Sequence, residues 1–335
     1  MDINILILNY NGRALLPRCL PSVLRAAEVS RHRCRTIVID NDSTDDSLAV
    51  LSERFPEVEV IRRPNRGLCS FNDVMPELDA PVAILLNNDI KLHENCIDPL
   101  VGPLDNSGDS ASNCFMTAPL CWGFDGTTYE GFRTAVSWRW GLIQATALYP
   151  GHEGSTKQAG PTASAGAAMA VDREKFIELG GFDPAYLPGR LEDLDFAFRG
   201  YMAGYQALYV PQSVAYHLGM ATFSEEFGQD GCQRLAIRNT LLLQWKNLRH
   251  PLHLIRQLSA LPLRLAVDVC RAPLVPRGRR WMFTGALLAA LARLRGLSSS
   301  PRGTAGKVGR EMSFFREFHP REMAASSAAV EGTKL

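Results

Sequence analysis

The chain has no surplus of charge of either sign: 36 Lys and Arg stand against 35 Asp and Glu in 335 residues, a formal net charge of +1. A domain built to grip a nucleic-acid backbone shows a clear cationic excess, so no nucleic-acid partner is expected. There is no C-x-x-C pair either. Eight cysteines (Cys19, Cys34, Cys69, Cys96, Cys114, Cys121, Cys232 and Cys270) are scattered without framework spacing and read as free thiols in a reducing compartment. No basic stretch precedes the apolar segment 3–8, and no small-residue cleavage site follows it, so no secretory signal is expected. The longest apolar stretch near the end, residues 281–292, is too short to cross a bilayer. These absences together give a cytoplasmic location as the expectation.

Three catalytic signatures are missing as well. No G-x-G-x-x-G follows the first apolar run and no G-x-x-x-x-G-K-[ST] occurs anywhere, which sets aside dinucleotide-dependent hydride transfer and P-loop hydrolysis. Thr162-Ala163-Ser164-Ala165-Gly166 lacks the first glycine of a nucleophile elbow, which disfavours a serine hydrolase.

What is present is alternation. Four short β-rich runs, residues 3–8, 36–40, 58–61 and 82–86, are separated by segments with helical spacing at 14–27, 47–55 and 68–78. Such alternation builds parallel βαβ units, and continuous apolarity within the runs points to a sheet covered on both faces. After Ile90 the alternation stops. A Gly/Ser/Thr/Trp-rich stretch over about 105–161 has weak periodicity, as an insertion that shapes a substrate would. Order returns with an expected strand at 164–171, a helix at 173–179 stopped by Gly180-Gly181, a further helix around 194–202 and a strand at 207–210. Between Lys246 and Arg310 thirteen Lys and Arg face the single acid Asp268. That asymmetry sets the end of the chain apart, and 298–309 reads as a linker or tail.

In open α/β sheets ligands bind beyond the carboxyl ends of the strands. The residues there are Asn9-Tyr10-Asn11-Gly12, Asp40-Asn41-Asp42-Ser43, Asn65-Arg66-Gly67 and Asn87-Asn88-Asp89: amides and carboxylates with few glycines. This composition suits hydrogen bonds to a base and ribose, with a hard divalent cation on a diphosphate held by one or two carboxylates. Asp89 is the natural ligand, although an Asp at a strand end also serves as an ordinary loop cap.

These clusters, continued by Gly180-Gly181-Phe182-Asp183 and Glu192-Asp193-Leu194-Asp195, occur in an order that resembles the family 2 inverting glycosyltransferases of the GT-A fold, nearest to their rhamnosyltransferase-like branch. The resemblance covers roughly residues 2–246. It implies an α/β fold with a mostly parallel, helix-flanked sheet, divided into a nucleotide-binding half (1–90) and an acceptor half (91–245), followed by a basic helical extension (246–335). It implies that Asp40 and Asn41 line the base pocket, with Asn9, Asn11, Asn65, Arg66, Asn72 and Asn88 near the donor. Asp89 and His217 would hold Mg²⁺ or Mn²⁺, Asp193 would be the catalytic base, and Glu192 would support the loop or touch the acceptor. Two departures stand out: Asn87 replaces the first acid of the family's D-x-D element, and Gly189-Arg190-Leu191 stands where many relatives carry aromatics.

The reaction implied is a single displacement from a nucleotide-diphosphate sugar to a saccharide or lipid-linked hydroxyl. A general base supplies about 10²–10⁴-fold in such a step. Asn41 favours a dTDP-sugar such as dTDP-rhamnose over a UDP-sugar. A sugar nucleotidyltransferase and a catalytically silent nucleotide-sugar binder are the alternatives; the first lacks its expected glycine-rich basic loop. Over 251–295, Leu, Ile, Val, Ala and Trp alternate with Arg in a pattern that allows amphipathic helices on an anionic membrane surface, or a helical cap or dimer face.

Overall fold

The computed structural model describes residues 1–105, 113–219, 221–294 and 307–331. The expected parallel units are present: β1 (Asp2–Asn9), β2 (Arg33–Asp40), β3 (Glu59–Arg62) and β4 (Val82–Asn87) lie in the order β3-β2-β1-β4, all parallel. They are joined through α1 (Leu16–Val29), α2 (Ser47–Arg54) and α3 (Ser70–Val74). Ile3, Ile5, Leu6 and Ile7 of the central strand β1 are all buried, because helices cover both faces. In α1 the buried stripe is Leu16, Cys19, Leu20, Val23 and Ala26, the three- and four-residue spacing of a helix with one apolar side.

Beyond β4 the sheet becomes mixed. After β5 (Ile90–Leu92) and α4 (Ile97–Val101), the stretch expected to be weakly ordered contains β6 (Cys114–Gly123), β7 (Tyr129–Gly131), the separate hairpin β8 (Ala135–Arg139) and β9 (Leu142–Thr146), α5 (His152–Ser155) and β10 (Gly160–Pro161). Its strands escape periodicity for physical reasons. The first six residues of β6 are buried on both faces, so polar and apolar residues do not alternate. The hairpin turns through Trp140 and Gly141, both with positive φ, without the usual Asn-Gly signature.

The strand expected at 164–171 starts later, as β11 (Ala168–Asp172), and Gly166 before it has a left-handed φ of +68° that interrupts extended backbone. β11 runs antiparallel to both β4 and β6. Two helices follow, α6 (Arg173–Glu178) and α7 (Glu192–Ala203), and then β12 (Gln206–His217). β12 extends past the expected 207–210 across an irregularity between Val210 and Val214, and pairs with β6 and β5. His217 therefore sits on the end of a strand at the same sheet edge as Asn9, Asp40 and Asn87.

The end of the chain is helical: α8 (Ala221–Asn247), α9 (Pro251–Arg271), α10 (Met282–Arg293), α11 (Lys307–Glu317) and α12 (Pro320–Glu331). The boundary expected at 245 falls inside α8. A second core crosses it, joining Val136 and Ile143 of the hairpin, Tyr186, Leu194 and Phe198 around α7, Leu241–Leu243 of α8, and Phe283, Phe314 and Phe318 beyond. Of the linker expected at 298–309, residues 298–306 lie outside the described residues.

Candidate active site

The polar clusters form one lip of an open cleft of about 350 Å³ at the carboxyl ends of the strands. Its organising residue is Asn9, fully buried at the end of β1. The Asn9 amide donates to Asp40 Oδ1 at 3.1 Å and to Ser43 Oγ at 3.2 Å, and its Oδ1 accepts from Asn88 Nδ2 at 2.9 Å. The ends of β1, β2 and β4 are thus tied by neutral amides. Gly12 completes this arrangement, since a Cβ there would lie 2.0 Å from Asn9 Oδ1 and 2.5 Å from Asn88 Nδ2.

Of the residues expected to meet a donor, Asn41, Asn65 and Asn88 line the cleft, together with Asn87. Asn41 donates to Gly67 O at 3.2 Å, while its buried Oδ1 has no partner among the described residues. Asn65 Oδ1 accepts from Gly67 N at 3.1 Å, fixing the turn at Gly67. Asn9, Asn11, Asp40, Arg66 and Asn72 are not on the cleft wall. Asp40 is fully buried and also accepts from Ser43 N at 3.1 Å. Asn11 Oδ1 accepts from Thr44 N at 2.8 Å and shapes the loop after β2. Arg66 turns onto Asp73, at 2.8 and 3.0 Å. Asn72 pairs with both backbone groups of Phe182, at 2.7 and 2.9 Å, and so fastens the Gly180–Asp183 turn to α3.

Across the cleft stand Glu192 and Asp193, in the first turn of α7, where the helix dipole favours negative charge. Asp193 Oδ2 accepts from Gly166 N at 3.1 Å and from Ser164 Oγ. Glu192 is buried, and burial, reinforced by the charge of Asp193, pushes its pKa up to about 8. The chain reaches α7 through Arg190 and Leu191, both with left-handed φ, at +82° and +72°. For non-glycine residues this is strained backbone that its surroundings must hold. Asn239 of α8, fully buried, holds it by donating to the carbonyls of Tyr186, Gly189 and Arg190 at 2.7–2.8 Å. Arg238 and Arg293 both donate to Leu187 O, at 2.7 and 2.8 Å.

Behind α7 lies a buried ionic network. Lys246 contacts Asp183 and, at 3.3 Å, Asp195; Arg199 Nε binds Asp195 at 2.7 Å, and Tyr186 and Asn247 donate to it at 2.7 and 2.6 Å. Burial opposes the Asp195 charge, but Arg199 and Lys246 outweigh it and hold its pKa below the usual carboxylate range. Two acids and two bases balance, the condition under which buried charges are tolerated.

Between the lips sits Asp89, its Oδ2 3.3 Å from His217 Nε2 and its buried Oδ1 without a partner among the described residues. His217 Nδ1 lies 3.7 Å from Glu130. Burial disfavours the imidazolium, but Asp89 and Glu130 prevail and raise the His217 pKa above the ordinary histidine value. Among the described residues no group of three or more His, Cys, Asp and Glu is placed to hold a metal ion by itself. Asp89 and His217 can supply two ligands, one through an orphaned carboxylate oxygen, and a cation there needs phosphate or water oxygens for the rest.

Several site residues carried no sequence signal. Ser164 was visible only as a failed elbow, yet it binds Asp193. Glu130, Asn239, Lys246 and Arg293 act across the fold from distant positions. Phe223, Glu226 and Phe227 of α8 line the cleft above Gly189 and place aromatic rings beside the 189–191 loop that lacks them. Another cavity, of about 410 Å³, lies at the opposite sheet edge among Leu24, Cys34, Arg35 and Glu59, away from all of these groups.

Residues 4–144 match the family described as Glycosyl transferase family 2. The chain is 22% identical over 219 residues to the putative polypeptide N-acetylgalactosaminyltransferase 10 of Drosophila melanogaster, a match covering 62% of this chain and 34% of that protein. It thus spans about a third of the length of that curated relative. Among solved structures it resembles the Pyrobaculum calidifontis mannosyltransferase PcManGT in complex with GDP-Man and Mn²⁺, with 16% identity, 99% of this chain and 87% of that one covered, and a TM-score of 0.50. It also resembles residues 1–349 of S. aureus TarS, with 12% identity, 100% and 92% covered, and a TM-score of 0.53. The fold is that of the GT-A glycosyltransferases, a mixed curled sheet flanked by helices with a helical C-terminal region.

Proposed function

We propose that this chain transfers a glycosyl group from a nucleoside-diphosphate sugar to a hydroxyl acceptor by a single displacement that inverts the anomeric carbon. The observation that carries this reading is the pairing across one cleft of two carboxylates with different surroundings. Asp89 lies at the end of the parallel strands beside His217, and Asp193 lies opposite at a helix start. Asp89 and His217 would hold a divalent ion such as Mn²⁺ or Mg²⁺, which when bound would supply Lewis-acid stabilisation of the leaving diphosphate. Asp193 takes the proton of the acceptor hydroxyl, its Oδ2 fixed by Ser164 and Gly166. Glu192, protonated at neutral pH, adds no second negative charge beside it.

On the donor side, the unpartnered Asn41 Oδ1 suits the imide N–H of a pyrimidine base, with Asn65 and Asn88 near the nucleoside and phosphates. A dTDP-sugar, dTDP-rhamnose first, is the donor we favour, as in the rhamnosyltransferase-like branch. UDP- and GDP-sugars complete the panel, and a saccharide or lipid-linked hydroxyl is the acceptor. A thermal-shift screen of these donors with Mn²⁺ or Mg²⁺ identifies the base, because only a fitting ligand raises the apparent stability. Asp193→Asn then tests the mechanism: turnover falls about 10²–10⁴-fold with donor affinity nearly unchanged. Full turnover in that variant removes Asp193 from the chemistry. Tight metal-dependent donor binding without turnover by the wild type identifies a silent binder.

A further inference from the structure

Helix α9 is apolar on its outer side as well as its inner one. Its buried residues are the polar His253 and Gln257, with His253 Nδ1 2.5 Å from the buried Glu311. Leu261 and Leu265 pack against the second core, but a further set of apolar residues faces outward: Leu252, Ile255 and Leu258 are 59–61% exposed, and Leu263 and Val269 each 54%. These recur at three- to six-residue steps along one side of the helix and form a stripe rather than scattered single exposures. α10 continues the pattern with Leu288 and Leu291, 62% and 45% exposed, and Trp281 stands before it at 46%. No helix among the described residues is long and apolar enough to cross a membrane.

The fringe of this face is cationic. Arg256 and Arg271 of α9 and Arg280 before α10 are exposed, while the exposed Arg279 is paired with Asp230. The acids nearby in sequence or space are occupied: Asp268 accepts from Thr284 N and Oγ1 at 2.8 Å, and Asp230 pairs with Arg279 at 2.9 Å. The charge pattern selects among occupants. A second copy docking through this face across a two-fold axis would bring Arg256, Arg271 and Arg280 against their own copies, while the acids nearby among the described residues, Asp268 and Asp230, are engaged by Thr284 and Arg279. An anionic bilayer supplies both complements, hydrocarbon for the leucines and phosphate for the guanidinium groups.

We propose that the outer face of α9, extended by α10, lies on the surface of an anionic membrane with its apolar stripe in the headgroup–acyl boundary. This contact does not depend on the chemistry of the cleft. Flotation of the full chain with phosphatidylglycerol-rich vesicles, compared with pure phosphatidylcholine vesicles, reads it out. The wild type floats with the anionic vesicles and partitions at least about tenfold more weakly to the neutral ones. The double variant Ile255→Glu, Leu263→Glu loses about tenfold or more while its thermal melting stays unchanged, since both side chains point to solvent. Arg271→Glu with Arg280→Glu loses the preference for anionic vesicles. Failure of the wild type to float, or flotation of the leucine-face variant at wild-type strength, overturns the proposal. So does a lipid-free dimer that the same variant dissolves.

Discussion

The two lips of the cleft are assembled by opposite physical means. The lip after β1, β2 and β4 is local and mostly neutral: Asn9 bonds Ser43 and Asn88 at the strand ends, and its buried carboxylates are Asp40, which accepts from Asn9 and Ser43 N, and Asp89 beside His217. The lip bearing Glu192 and Asp193 is remote and ionic. It enters α7 through two left-handed residues, which Asn239, Arg238 and Arg293 hold from two later helices, and it rests on the Asp183–Lys246–Asp195–Arg199 network. A lip built at strand ends inherits its geometry from the sheet. A lip built on a strained loop depends on whatever packs behind it, and here that is the C-terminal region.

The largest effect should come from the network. Lys246→Met leaves Asp183 without its cation and Asp195 with one base in place of two. Removing one partner of a buried ionic group typically costs about 3–5 kcal/mol. Urea unfolding of the two proteins measures it, and a loss below about 1 kcal/mol would mean that the second lip does not rest on these charges.

Glu192 gives a smaller, graded effect whose sign follows from its raised pKa. The folded state keeps the Glu192 proton up to about pH 8, whereas the unfolded chain releases it near the ordinary carboxylate value. Between those limits the folded state binds more protons, so stability falls as pH rises and levels off above about 8. His217, with its pKa also raised, loses its stabilising contribution in the same direction as pH rises through its folded value. Glu192→Gln removes only the first contribution. Unfolding curves between pH 5 and 8 should therefore be flatter for the variant than for the wild type, and parallel curves would show that Glu192 is ionised in the folded protein.

The contrast between the lips also explains what could be read in the sequence. The polar clusters at residues 9–12, 40–43 and 87–89 follow buried β-runs directly, so their convergence follows from the parallel sheet. Nothing comparable announces Asn239 or Lys246. Both are ordinary polar residues in a long helix, and their partners lie about 50 residues or more away, at Arg190, Asp195 and Asp183. The weak periodicity of 105–161 hid β6 because both its faces are buried. A boundary near residue 245 looked natural because the charge pattern changes there, yet the second core passes through it. Composition recorded the change of surface, whereas packing unites what lies beneath.

The smallest effect tests the first lip. Arg66 follows β3 among the residues expected near the donor, but its guanidinium is spent on Asp73, with the two side chains 43% and 31% exposed. An ion pair this open is screened by solvent, and Arg66→Ala should change unfolding free energy by less than about 1 kcal/mol. Donor affinity, measured by titration with metal present, should change little, because Asn41, Asn65 and Asn88 line the cleft and Arg66 does not. A tenfold loss of affinity would show that Arg66 leaves Asp73 for the phosphates. The first lip would then contain a mobile cation, and the contrast between a mostly neutral, preformed lip and an ionic, supported one would fail at that residue.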